Sequence, residues 1–185
     1  MSGIHSFYLL SYSLMEKGKK KLVVLSGVPG SGKSYFSDTI KKYQCAHVYI
    51  VSSDGLRNDL TGSQRNFTHE KEVWEMFYDL PVTYSKDDEA IVILDATNAR
   101  LYFRLLALEK LQRYFDETIL VSFNLDKDLV RKQNLEREYP IPAEALEDFF
   151  VKFEPPTKEE YEVFDRVYVV STNEIEEVVK DIMTK

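Results

Sequence analysis

A glycine-rich run, Gly27-Val28-Pro29-Gly30-Ser31-Gly32-Lys33-Ser34, carries the pattern G-x-x-x-x-G-K-S between the apolar residues Leu22 to Leu25 and a helix-compatible segment. A turn in that setting joins a buried strand to a helix N-terminus, and its successive backbone N–H groups point inward to form a cup for an anion. Phosphate suits this spacing. The lysine reaches the β- and γ-phosphates and the following hydroxyl ligates Mg2+, tasks that fall here to Lys33 and Ser34. The run therefore points to a nucleoside triphosphate, with ATP and Mg2+ expected.

Two carboxylates belong to the same chemistry. Asp95 ends the continuous apolar run from Ala90, and Asp54 follows the run that closes near Ser52. In an open parallel sheet ligands gather beyond the carboxyl ends of the strands, so both acids are expected on the rim that holds Lys33 and Ser34. Asp54 and Arg57 lie three residues apart and share one face of a short helical turn. One group could accept a proton from an attacking hydroxyl while the other holds an anionic part of the acceptor. A capping role for Asp54 beside a solvated Arg57 carries equal weight on the residues alone. Asp95 is expected to order the metal shell, the Ser34 hydroxyl or the lysine. Thr97 and Asn98 follow in the same loop, where they could hydrogen-bond the acceptor or make an Asx-type turn. Further along, Arg131, Lys132 and Arg137 lie on a charged segment. An arginine swung over the phosphates by a mobile helix is an expected device in phosphoryl transfer, and one of these arginines would suffice.

The elements that must position these groups follow from the apolar pattern. Strands are expected over about 21–26, 46–52, 90–95, 117–124 and 166–171, with helices over about 33–43, 54–60, 68–84, 99–114, 126–137, 142–153 and 173–183. Asp126 is a candidate N-cap, Trp74 a core residue and Pro81 a kink or break in its helix. Pro155-Pro156 should break the chain, and the turn-forming loop from Thr61 to Asn66 should be mobile. Strands alternating with helices, without internal repeats, make an α/β fold with a doubly wound, mainly parallel five-stranded sheet.

At 185 residues the chain suits a single such domain over 19–185, with a lid around 126–140 and an N-terminal extension over 1–18. Met15 could serve as an alternative start. The stretch from Ile4 to Tyr12 lacks the basic flank and cleavage site of a secretory signal and is too short to span a bilayer. Cys45, the single cysteine, cannot close an internal disulfide, so a cytoplasmic enzyme without a membrane partner is expected. The net charge of −7 argues against a broad basic surface that tracks a long nucleic acid, and Lys17, Lys19, Lys20 and Lys21 read as a solvated lead-in. A guanine-nucleotide switch is disfavoured because no N-K-x-D run occurs.

Taken in order, the motifs resemble those of the P-loop polynucleotide 5′-kinases and their close kinase relatives, RNA-repair kinase domains included, over about residues 21–171. The residues that carry the resemblance are Gly27 to Ser34, Asp54 with Arg57, Asp95-Ala96-Thr97-Asn98, Gln133-Asn134 with Arg137, and Lys152 to Pro156 leading into Phe164-Asp165-Arg166-Val167. The resemblance implies an adenylate-kinase-like P-loop kinase fold. It also implies that Lys33 and Ser34 hold the donor phosphates and Mg2+, that Asp54 is the general base, and that Arg57 grips a phosphate on the acceptor. Asp95 would order the metal site, Thr97 would touch the acceptor, and Arg137 would be the lid arginine. Two departures are Gln133, where some relatives carry another lid arginine, a gap that Arg131 or Lys132 could fill, and Lys86-Asp87-Asp88-Glu89, where relatives often have a glycine turn. The activity expected first is ATP-dependent transfer of the γ-phosphoryl group to a nucleic acid 5′-OH. The alternatives are a small-molecule hydroxyl acceptor (nucleoside, sugar or other metabolite) and a nucleotide-binding switch or effector subunit without kinase turnover.

Overall fold

Alternate residues of the first strand set the two halves of the core. In the computed structural model, which describes residues 18–43, 47–124, 126–137 and 140–184, Leu22 and Val24 point to one face of the sheet and Val23 and Leu25 to the other. All four are fully buried. Continuous apolar runs of this kind belong to parallel strands covered on both faces. The proposed extension with Met15, and Cys45, lie outside the described residues, apart from Gly18 at its end.

Five strands form the sheet: β1 (Lys21–Ser26), β2 (His47–Ser52), β3 (Ala90–Asp95), β4 (Glu117–Phe123) and β5 (Arg166–Val170). Their order is β2-β3-β1-β4-β5, and every neighbouring pair is parallel. The expected fold class is thus observed, with the glycine-rich turn leaving the central strand.

Helices α1 (Lys33–Lys41) and α8 (Ile175–Thr184) cover one face through Phe36, Ile40, Ile175 and Val179. The other face is covered by α2 (Ser53–Thr61), α3 (Glu70–Tyr84) and α4 (Leu101–Leu111), which contribute Leu56, Val73, Phe77 and Leu111. Each such buried side chain contributes roughly 1.5–3 kcal/mol relative to exposure. Trp74 packs against this second cluster only partly buried, its ring N–H donating to Glu70 at 3.2 Å. Helices α5 (Lys127–Leu135) and α6 (Ala143–Lys152) stand apart from both layers. They close a small cluster in which Val130 and Leu146 meet Val28 of the glycine-rich turn.

Three local expectations change. Pro81 neither breaks nor ends α3, because the ladder resumes beyond it with the Ser85 N–H donating to the Pro81 carbonyl at 2.9 Å. A further short helix, α7 (Lys158–Val163), follows Pro155-Pro156 and is opened by a capping box between Thr157 and Glu160. The hydroxyl of Ser52, not the carboxylate of Asp54, caps α2 by accepting from the Gly55 N–H at 3.3 Å. Asp126 does cap α5, accepting from the N–H groups of Asp128 and Leu129 at 2.8 and 3.1 Å.

Candidate active site

The phosphate cradle rests on backbone that side chains would oppose. Gly30 and Gly32 lie at φ +83° and +95°, in the left-handed region that glycine enters freely. A Cβ on Gly27 would collide with the Ser31 hydroxyl and the Cβ of Phe123, so the turn is pressed against β4. Helix α1 starts at this point with neither a side-chain cap nor an acidic residue in its first turn. Its first N–H groups and the positive end of its dipole are left to an anion, which fits a bound triphosphate.

Lys33 folds back over the same turn. Its ammonium donates to the carbonyls of Gly27 and Val28 at 2.8 and 3.0 Å. Burial pushes its pKa down to about 8; the charges of Asp95 and Asp54 oppose that shift, and that of Arg137 adds to it. Three charges from three other segments are therefore felt at the lysine. Register explains two of them, because Ser52 and Asp95 are paired across β2 and β3 and so both acids leave the sheet at one level. Asp95 is partly buried, and burial raises its pKa while the Lys33 charge pulls it back. Ser34 is exposed at the start of α1. A hydroxyl and one carboxylate are a donor set that suits Mg2+, which takes few protein ligands and keeps water and phosphate oxygens for the rest.

Beyond the lysine, Asp54 is open and Arg57 is not. The Asp54 side chain is 60% exposed, whereas Arg57 is 6% exposed. Arg57 donates through Nη1 to Asp54 at 2.6 Å, and through Nε and Nη2 to the two oxygens of Glu70 at 2.5 and 3.2 Å. The Phe67 ring lies under the guanidinium, 5.0 Å from its centre. Burial works against the arginine's charge, but Glu70 and then Asp54 outweigh it and raise its pKa. Glu70 and Phe67 were not legible in the sequence, since 13 residues and a polar loop separate Glu70 from Arg57.

The loop after β3 divides its work. Thr97 is half-buried at the rim, and its carbonyl receives the Gly27 N–H at 2.9 Å. Asn98, expected beside it as an acceptor contact or part of an Asx-type turn, ties the loop to β1. It is 7% exposed, sits at φ +40°, and donates its side-chain amide to the Leu25 carbonyl at 2.8 Å. The Asn98 carbonyl in turn accepts from Ser26 and from Arg104, at 2.9 and 3.2 Å. Arg104 is fully buried and paired through two bonds with fully buried Glu160, at 2.5 and 3.0 Å. Helix α7 is thereby fastened, through one guanidinium, to the start of the phosphate turn.

The charged segment is likewise sorted. Arg131 is held by Glu147 and Asp128 at 2.6 to 3.0 Å, pairs that raise its pKa, and it lies over the Phe150 ring. It cannot stand in for the arginine that Gln133 replaces without giving up both partners. Arg137, exposed just beyond α5, is a cation whose charge is felt at Lys33. Buried Asn134 holds that turn, exchanging two hydrogen bonds with the Ile141 backbone at 2.8 and 3.0 Å. Arg65 in the polar loop donates to the Pro140 carbonyl at 3.3 Å, so this loop touches the segment beyond Arg137.

A five-stranded parallel sheet with a glycine cradle at its central strand and a lysine flanked by two rim acids defines a P-loop nucleotide-binding protein of the kinase type. Within that class, the chain belongs to the AAA domain family AAA_33, whose model matches residues 22–156. It is similar to the Protein kti12 of Schizosaccharomyces pombe, 25% identical over an alignment of 146 positions that covers 73% of this chain and 52% of the relative. The chain thus spans about half the length of that relative. Its fold is similar to Chaetomium thermophilum Kti12 crystallised with ADP-AlF3, at TM-score 0.66 and 16% identity, covering 88% of this chain and 97% of the other. It is also similar in fold to a chain of the Pnkp1/Rnl/Hen1 RNA repair complex, at TM-score 0.65 and 21% identity, covering 83% and 49%. Among the described residues no helix is long and apolar enough to cross a membrane.

Proposed function

We propose that the site binds ATP and moves its γ-phosphoryl group to an uncharged oxygen nucleophile, a hydroxyl of a small molecule or water, held against Asp54. The observation that carries this reading is the pairing of an open Asp54 with an Arg57 already engaged by Glu70. An acceptor that brings its own phosphate needs a cation in reach, and Arg57 has given both edges of its guanidinium to carboxylates. A nucleic acid 5′ end is therefore the weaker choice of acceptor. The ADP-AlF3 held by Kti12 supports nucleotide chemistry rather than a particular acceptor, since AlF3 beside ADP stands in for a planar phosphoryl group in transfer.

The residues then take these parts. The cradle from Gly27 to Gly32 and the first turn of α1 bind the β-phosphate, and the Lys33 ammonium leaves its two carbonyls for the phosphate oxygens. Mg2+, when bound, spreads the charge that builds on the transferring group, and Ser34 and Asp95 would hold it. Asp54 takes the proton of the nucleophile, and the hydrogen bond from Arg57 aims its carboxylate. Arg137 closes from the turn after α5 to meet charge on the transferring oxygens. The proposal is tested by single-turnover cleavage of ATP beside a direct ATP-binding measurement. Asp54→Asn should bind ATP as the wild type does and lose at least about 10²-fold in cleavage, the usual scale of general-base removal. Unchanged cleavage in that variant would move the base elsewhere.

A further inference from the structure

The Arg57 site is filled from within. Glu70 is the first residue of α3, where the helix dipole favours its charge, and its two oxygens lie on Nε and Nη2 of Arg57 in the fork geometry that a phosphate would use. Asp54 takes Nη1, and Phe67 lies beneath the plane. Two carboxylates on one guanidinium leave a surplus negative charge on the acceptor side. The Glu70 side chain is 33% exposed, so it is reachable from the site rather than sealed in the core.

We infer that Glu70 determines acceptor class: it occupies Arg57 as a built-in substitute for a phosphate and turns phosphate-bearing acceptors away. It does so as a positioning residue, through Arg57, without touching the reacting atoms. The inference rests on the reading of Arg57 and Asp54 as the acceptor side of the site, and it explains how one scaffold could admit neutral or phosphorylated acceptors by a single change. With glutamine at position 70 the side chain still reaches Arg57 and Trp74, but the competing charge is gone and a phosphate can take the fork.

The test measures binding and requires no turnover. Protein saturated with a non-hydrolysable ATP analogue and Mg2+ is titrated with a ribonucleoside 3′-monophosphate and, in parallel, with the same nucleoside lacking the phosphate. The wild type should show no preference for the phosphorylated form. Glu70→Gln should bind it about tenfold or more tightly than the wild type, the scale of one additional charge-assisted bidentate pair, and the improvement should shrink with added salt. Glu70→Gln combined with Arg57→Ala should lose that improvement while still binding the ATP analogue, which separates a specificity role from a packing role. The inference is overturned if the wild type already prefers the phosphorylated nucleoside, if Glu70→Gln binds it no more tightly while still binding the ATP analogue, or if the improvement survives without Arg57. Failure of the ATP-cleavage experiment above with success here would remove the proposed turnover and leave the exclusion intact.

Discussion

At the level of single residues, Lys33 is the group on which most of the chemistry converges. It is crowded by Asp95, Asp54 and Arg137, and burial holds its pKa at about 8 in the free protein. Bound phosphate must raise that value, because an anion favours the charged amine. Below about pH 8 the free protein already carries the proton, so Lys33 adds no pH dependence to ATP affinity there. Above about pH 8 the proton must be taken up on binding, and affinity falls towards tenfold per pH unit until the pKa of the complex is reached. Binding isotherms from about pH 7 to 9.5 read this directly, and a flat profile would place the proton elsewhere. Lys33→Ala should lose about 10²-fold or more in turnover, since one preorganised donor at a developing charge contributes about 3 kcal/mol. The turn from Gly27 to Ser34 was legible because glycine spacing dictates the backbone there. Side-chain partners supplied by distant segments were not. Asn98 was consumed by the Leu25 carbonyl, and Glu70 gave no local sign that it would reach Arg57.

Among the elements, the loop after β3 owes its place to a contact no local pattern reveals. Helix α7 is only six residues long and follows two prolines, so its sequence lacks the periodicity that marks longer helices. Its Glu160 nevertheless closes the capping box with Thr157 and binds Arg104 of α4 in a pair with no exposed surface. Removing one partner strands the other charge in the core. Glu160→Gln should therefore destabilise the fold by about 3–5 kcal/mol, seen as a lower urea midpoint at unchanged slope. An unchanged midpoint would mean that Arg104 finds other acceptors, Ser26 and Asn98 being the nearest. The α5–α6 side is held more lightly, by Val130 and Leu146 on Val28. Leu146→Ala should loosen α6 from the phosphate turn, at about 2–5 kcal/mol if the cavity stays open, with weaker ATP binding as the accompanying readout.

For the whole molecule, strand runs buried on both faces made the parallel sheet legible, and the strand limits differ from expectation by a residue at most in the described region. Strand order and the separate packing of α5 and α6 on Val28 were not legible, because both depend on contacts between distant segments. The overall charge of −7 agrees with the proposed acceptor side, where Asp54 and Glu70 both bear on Arg57. Long single-stranded DNA or RNA should accordingly show little retention on the protein at physiological salt. The central claim, transfer to an uncharged oxygen nucleophile at Asp54, is tested most directly by following label from γ-labelled ATP with Mg2+ into three pools: free phosphate, small hydroxyl compounds, and 5′-OH oligonucleotides. Label is expected in free phosphate or in an uncharged small molecule, lost in Asp54→Asn, with the oligonucleotides unlabelled. Label that stays in bound ATP, or that appears chiefly on oligonucleotide ends, would contradict it.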